Sequence, residues 1–417
     1  MPPLVQLLSI CNILNLREFH DCRNRYILHV LHALARLSID QHQAARAIMA
    51  CRTDELGHEE WACSQDDHVV QQAHSCRHRS CPTCHGAASH DWLEKTQARL
   101  LPCDHYHVVF TLPHELNEVW QFNRQWSTDH LFKAAAESLR QLLRDERYLG
   151  AEVGLLISLH TWGRTLSFHP HVHVLVTGGG LSGNAWHALK KDFLLPVGVL
   201  KAKFRGKWLS WLNHAYEQDQ IQLPTHWREH DWRRALSRVA RKSWNVRIQG
   251  PYRHGNGVVN YLSRYVHGGP IKDQHLIGGD ATAVQFRYRD HHDGREKPMT
   301  LKTDHFLSRV MWHVPVKGQH NVRYYGLYTP GAKAKRELIR EQWGETLGEV
   351  VSKTPKVERI CPQCGSPLLH RSSTRRKISS IRCVSPLTYS VAVQHAVQPH
   401  RSRPYRFQQW YANESSP

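Results

Sequence analysis

The sequence predicts an α+β chain, a small antiparallel sheet carrying helices and preceded by a metal-bound cysteine module. Short runs rich in β-branched and aromatic residues, at 106–112, 155–160 and 171–177, alternate with longer segments of helical apolar spacing. Cys63, Cys76, Cys81 and Cys84 crowd together instead of spreading among the eleven cysteines. The 55 Lys and Arg outnumber 36 Asp and Glu, giving +19, and so basic a chain is built for a polyanionic partner.

The elements follow in order. Residues 26–50 carry apolar residues at three- and four-residue spacing and predict helix, broken near Ser38-Ile39-Asp40. The cysteine module runs to about 86, and Asp91 to Leu101 is a helix closed by Pro102. Tyr106 to Leu112 is a strand ending at Pro113, and 117–147 is helical. Strands at Leu155–His160 and His171–Thr177 flank a long hairpin loop at 161–170, with Gly178 to Gly180 marking the exit. Residues 185–245 read as mostly helical and strongly basic from Arg228 to Arg247; Val246–Gln249 is a further strand. A loop at Gly255 and Gly257 then opens a helix through Tyr261 and Tyr265, and 331–349 is a charged helix before a basic tail ordered only in part. The division is 1–45 helical, 46–100 zinc-binding, 101–345 catalytic and 346–417 tail, with no internal repeat.

Bulk properties narrow the class. Basic membrane-surface proteins share the charge, but no long basic amphipathic helix supports that reading. Fourteen Trp and fourteen Tyr supply faces on which unpaired bases stack, although most belong in the core. Leu4 to Leu16 is apolar but has no basic residues before it and is interrupted by two Asn, so no secretory signal is predicted, and no run has the length of a membrane span. The expected compartment is a reducing cytoplasm, where clustered thiols bind metal.

Two constellations carry chemistry. In His171-Val172-His173 both imidazoles face one way, because strand side chains alternate. With 33 histidines, about two or three such pairs arise by chance, and His105-Tyr106-His107 is another. The pair at 171 is favoured because Val174-Leu175-Val176 continues its strand. Neutral imidazoles suit a divalent transition ion, and Mg²⁺ or Mn²⁺ would complete its shell with phosphate oxygens and water. His160 is the third ligand if 155–160 and 171–177 pair as a hairpin; His169, beside Pro170, competes for that role. Tyr261 and Tyr265 share a helix face beside a buried stripe of Val259, Leu262 and Val266. A phenol activated by a nearby cation can attack a phosphodiester, and Arg247, Arg253 and Arg264 are candidate phosphate contacts.

Cys81-Pro82-Thr83-Cys84 suits tetrahedral Zn²⁺ with Cys63 and Cys76 as the remaining thiolates, a structural site because it leaves no open position. Cys361-Pro362-Gln363-Cys364 is half a second knuckle; Cys383 and His370 are its candidate partners, and it stays unassigned.

HPHVH at 169–173, YLSRY at 261–265 and CRHRSCPTC at 76–84 resemble the two-tyrosine rolling-circle transposases of the insertion sequence ninety-one family, within the HUH endonuclease superfamily. The segments 106–117, 159–182, 254–270 and 322–328 are similar too, so the resemblance covers about 46–340. It implies an HUH core with an RRM-like antiparallel sheet. It also implies nicking and rejoining of single-stranded DNA, transposon ends and target, through a 5′-phosphotyrosine in a protein that joins the nucleoid when bound to DNA. Family members set a second cysteine three residues after the position of Cys63; this chain has Asp66, which leaves Cys76, His68, His74 and His78 as replacements. The first 25 residues match nothing expected of the family. The competing readings are a plasmid replication initiator or relaxase-type nickase, and a non-catalytic zinc-stabilised DNA-binding protein. No GxxxxGK loop occurs, so a fused helicase of the usual kind is not expected.

Overall fold

The computed structural model describes residues 37–344, apart from positions 85, 190, 191, 267, 281 and 291, together with residues 359–376. Side chains at 86–88, 261 and 264–266 lie outside the description, as does the helix expected at 26–36. Helix α1 (Ile39–Met49) starts where the break was expected, with the Ser38 side chain capping the Gln41 amide and Gln41 reaching back to the Ser38 amide. Strands β1 (His58–Cys63) and β2 (Val69–Ala73) follow, then helix α2 (Gly86–Arg99) and strand β3 (His105–Thr111). The helical stretch after β3 divides into α3 (Asn117–Phe122) and α4 (Arg124–Arg144). Asn123 causes the division: its side chain donates to the Val119 and Gln222 carbonyls and accepts from the Gln222 amide.

Strands β4 (Gly154–Trp162) and β5 (Phe168–Thr177) form the predicted hairpin, but its loop is shorter than 161–170 because Trp162 pairs with Phe168. An unexpected small hairpin, β6 (Gly179–Ser182) and β7 (Ala185–Ala188), precedes α5 (Val197–Glu217) and α6 (Glu229–Arg241). Strand β8 (Asn245–Tyr252) leads to helix α7 (Asn256–Val266). A meander of β9 (Leu276–Gly279), β10 (Ala283–Arg289) and β11 (Glu296–Lys302) then feeds α8 (Thr303–Trp312). Strand β12 (Val322–Gly326), helix α9 (Lys333–Gln342) and strand β13 (Leu368–Ser373) complete the described elements.

The central sheet has order β12-β4-β5-β3-β8, every neighbour antiparallel. One face carries Val108, Phe110, Leu155, Ile157, Leu159, Val172, Val174 and Val176, all buried against Leu131, Phe132 and Leu139 of α4 and Phe204 and Trp208 of α5. Each such side chain contributes about 1.5–3 kcal/mol by leaving water. On the opposite face Leu156 and Leu175 share a smaller core with Val258, Val259 and Leu262 of α7. A third core joins α1, Cys51 and Cys81 to Leu276, Val284, Phe286 and Phe306 of the meander and α8.

A three-stranded sheet runs β13-β1-β2, so residues 368–373 pair with the cysteine module. Among the described residues no helix is long and apolar enough to cross a membrane.

Candidate functional site: an imidazole cluster beneath a tyrosine helix

The hairpin register brings the histidines together. His160 sits directly opposite His171, and His173 lies two residues further along β5 on the same face. One ring nitrogen from each of His160, His171 and His173 falls within 4.8 Å of the others, the spacing of a metal-ligand set. Ring centroids are 4.4 Å apart for His160 and His173 and 4.9 Å for His171 and His173. His160 and His173 are buried and His171 is half-buried, so the cluster opens on the His171 side. Burial first, and the neighbouring imidazoles second, hold His171 down to about 4 and keep His160 and His173 well below the ordinary imidazole value. The rings are therefore neutral at pH 7, the form that ligates metal. His169 is exposed and stands outside the set; its backbone carbonyl instead accepts the Nδ1 hydrogen of His171 at 2.6 Å. That bond fixes the tautomer, with the ring lone pair of His171 on Nε2.

The second HxH pair behaves differently. His105 donates Nδ1–H to the Cys103 carbonyl at 2.8 Å and its Nε2 accepts from the Tyr328 hydroxyl at 2.5 Å, which makes it a core histidine. His107 instead hydrogen-bonds Nδ1 of His173 at 2.8 Å, and the Gln249 side chain hydrogen-bonds His107. Of this pair only His107 reaches the cluster, and the spacing that places His171 and His173 on one face also places His105 and His107 on that face without separating their roles.

Helix α7 lies on the same side of the sheet. It packs across β4, β5 and β8, with Val259 and Leu262 fully buried beside Leu156 and Leu175. Leu175 is two positions from His173 along β5, about 7 Å. The helix begins over His105: Gly255 has φ +65°, and a Cβ there would lie 2.8 Å from the His105 ring, so only glycine fits this turn. Tyr261 and Tyr265 stand on α7, while their side chains, like those of Arg264 and Val266, lie outside the described residues. Arg247 is exposed on β8 on the histidine face, paired with Val109, and Arg253 is exposed just before α7.

The cysteine assignment needs correction. Cys76, Cys81 and Cys84 do converge, but the fourth thiol is Cys51, not Cys63. The physical reason is local: Cys51 follows α1 directly and receives the Cys76 amide at 3.4 Å, whereas β1 carries Cys63 away to the far end of the β1–β2 hairpin. Sulfur separations are 3.4 Å for Cys51–Cys84 and 3.7 Å for Cys76–Cys84, against about 3.8 Å for four thiolates around Zn²⁺ with bonds of about 2.3 Å. The donor set fits a structural zinc. Neither His74 nor His78 is a ligand there; His78 Nδ1 accepts from the Ser80 amide. Cys63 groups instead with Asp66, Cys361 and Cys364, and His370 lies edge-on to Trp61 and outside that set; Cys383 is outside the described residues.

The knuckle also braces the tyrosine helix. Thr83 donates to Asp273 at 2.6 Å, and Gly269 passes so near Ser80 that a Cβ would sit 3.0 Å from its carbonyl oxygen. Helix α2 leaves the knuckle and lies along α7, with Gln97 donating to Asn260 at 3.2 Å.

Two family descriptions match the chain: a putative transposase over residues 154–336, which holds the three histidines and α7, and a transposase zinc-binding domain over residues 18–112, which holds Cys51, Cys76, Cys81 and Cys84. The putative transposase y4qJ of Sinorhizobium fredii is 39% identical over 297 residues, covering 70% of this chain and 75% of the relative. The transposase for insertion sequence element IS801 of Pseudomonas savastanoi pv. phaseolicola is 32% identical over 290 residues, covering 67% of this chain and 68% of the relative. No solved structure matches the chain significantly.

Proposed function

The chain belongs to the transposases of the insertion sequence ninety-one family, and from that premise we propose that it nicks and rejoins single-stranded DNA in rolling-circle transposition, through a 5′-phosphotyrosine on Tyr261 or Tyr265. One observation carries the reading: His160, His171 and His173 converge on the sheet face across which the tyrosine-bearing helix packs. A central strand bearing the histidine pair within an antiparallel sheet is compatible with an HUH core.

In the proposed reaction His160, His171 and His173 would hold a divalent cation, and such an ion would supply charge stabilisation at the phosphate under attack. Three nitrogen donors favour a transition ion such as Mn²⁺ over Mg²⁺, which prefers oxygen. His107 and the His169 carbonyl orient His173 and His171 as ligands. A tyrosine oxygen bonds the phosphorus, the bond to the 3′ oxygen breaks, the phenolic proton passes to solvent, and the 3′ oxygen takes one up. The phosphodiester energy is kept in the tyrosyl ester, so a 3′-hydroxyl can reverse the attack and join strands without ATP. Two tyrosines allow donor and target strands to be held at once. Arg247, Arg253 and Arg264 are assigned to the DNA backbone, in keeping with the net charge of +19.

The test is a labelled single-stranded oligonucleotide carrying the element's end, incubated with the protein and Mn²⁺ or Mg²⁺ and run on a denaturing gel. A metal-dependent covalent adduct that persists in one Tyr→Phe variant and vanishes in the Tyr261→Phe, Tyr265→Phe double variant is expected. Absence of any adduct on every end sequence and with either ion would reduce the protein to a zinc-stabilised DNA-binding module.

A further inference from the structure

We propose that Cys63, Asp66, Cys361 and Cys364 form a second metal site, a Cys₃Asp zinc centre that fastens the segment 359–376 to the N-terminal cysteine module. The four ligand atoms lie within 4.8 Å of one another, although the two halves are some 300 residues apart in sequence. Cys63 Sγ is 3.4 Å from Cys364 Sγ, too far for a disulfide at about 2.05 Å and close to the spacing of thiolates sharing an ion. Asp66 Oδ2 is 3.8 Å from Cys361 Sγ.

Both halves are folded as knuckles. The Gln65 amide donates to Cys63 Sγ at 3.4 Å, the same two-residue amide-to-sulfur bond that the His78 amide makes to Cys76 Sγ in the Cys₄ site. The Cys63 amide donates to the His68 carbonyl at 2.9 Å, and Asp66 Oδ1 accepts from the His68 amide at 2.9 Å; these bonds turn the carboxylate back toward the thiol. On the other side, the Cys361 amide donates to the Ser366 carbonyl at 2.7 Å and Gly365 adopts φ +74°, closing a tight turn over the two sulfurs. The halves meet where β1 pairs with β13, Cys63 opposite Leu368, and where the Ser64 amide donates to the Pro367 carbonyl.

The donor set selects the ion and its behaviour. Three thiolates and one carboxylate suit Zn²⁺ over Mg²⁺ or Ca²⁺, which prefer all-oxygen shells. Cys51 and Cys81 are at most 1% exposed in the Cys₄ site, whereas Asp66 and Cys364 are exposed. The second ion therefore leaves first. It lies outside both family matches on its C-terminal side, since Cys361 and Cys364 follow residue 336.

Metal content and EDTA-driven release on the full chain test this. Wild-type protein should release thiolate-bound metal in two phases, the faster one lost in Cys361→Ser, Cys364→Ser. Cobalt reconstitution counts the same sites by thiolate-to-cobalt absorption, which the sulfur-free histidine cluster does not contribute. Asp66→Cys should keep the stoichiometry and slow the fast phase; Asp66→Ala should speed it about tenfold or more, because removing a ligand costs at least as much as losing a ligand's supporting contact. Equal thiolate-bound cobalt in wild type and the double serine variant would overturn the site. So would a single release phase that neither Asp66 variant shifts, a result that holds even if the serine variant fails to fold.

Discussion

Along β5, Val172, Val174 and Val176 point to one side of the central sheet and His171, His173 and Leu175 to the other, and the two sides have opposite characters. The valine side is sealed by α4 and α5, whereas the other side brings His160, His171 and His173 together beside the smaller core that includes α7. From His171 to Val174 neighbouring positions alternate between the proposed metal site and the core, while Leu175 returns to packing beneath α7. A change of one residue in the sequence moves a substitution from a fold defect to a site defect.

That contrast can be broken from either side. His171→Ala, at the half-buried member of the cluster, should lower adduct formation about a thousandfold, on the view that the bound ion supplies several kcal/mol at about 1.4 kcal/mol per decade, while the thermal midpoint stays near wild type; equal loss of both would merge the two faces. Phe110→Ala, on the sealed side, should cost about 3–5 kcal/mol in urea unfolding and leave single-turnover nicking by the remaining folded protein unchanged.

Acid sharpens the comparison. Burial holds His105, His107 and His171 at about 4, below the unfolded value near 6.5. The unfolded chain binds more protons in that window, so stability rises with pH: it is complete above 6.5 and lost as pH falls toward 4. The urea midpoint of metal-free protein should drop across that interval, and a His105→Gln variant should flatten the drop. Arg247→Ala has the smallest expected effect, a severalfold weaker affinity for any single strand and a salt slope reduced by about one, read by fluorescence anisotropy at several salt concentrations.

Much of this contrast was legible beforehand. Period-two alternation is enough to put His171 and His173 on one face, and a hairpin register of His160 opposite His171 follows once both strands are recognised. The missing parts differ in their local signal. β10 carries the period-two pattern of a strand, with Val284 and Phe286 buried between exposed Gln285 and Arg287, whereas β13 buries nothing and shows no such pattern. Cys51 and Cys63 are equally good fourth ligands by spacing; β1 decides between them by carrying Cys63 toward Cys361. The sheet built on β1 is for this reason discontinuous in sequence, drawing on residues 58–73 and 368–373.

Strand β1 sits between β2 and β13, so one of its edges is closed only by residues 368–373. On the ribosome that edge stays open while most of the protein is being made, and a nascent chain stalled or truncated before residue 368 exposes unpaired amides and carbonyls of the kind that recruit other strands. Arrival of β13 would satisfy β1 and move the sheet's open edge to a strand whose exposed His370 and Arg371 make it a poorer template for further pairing.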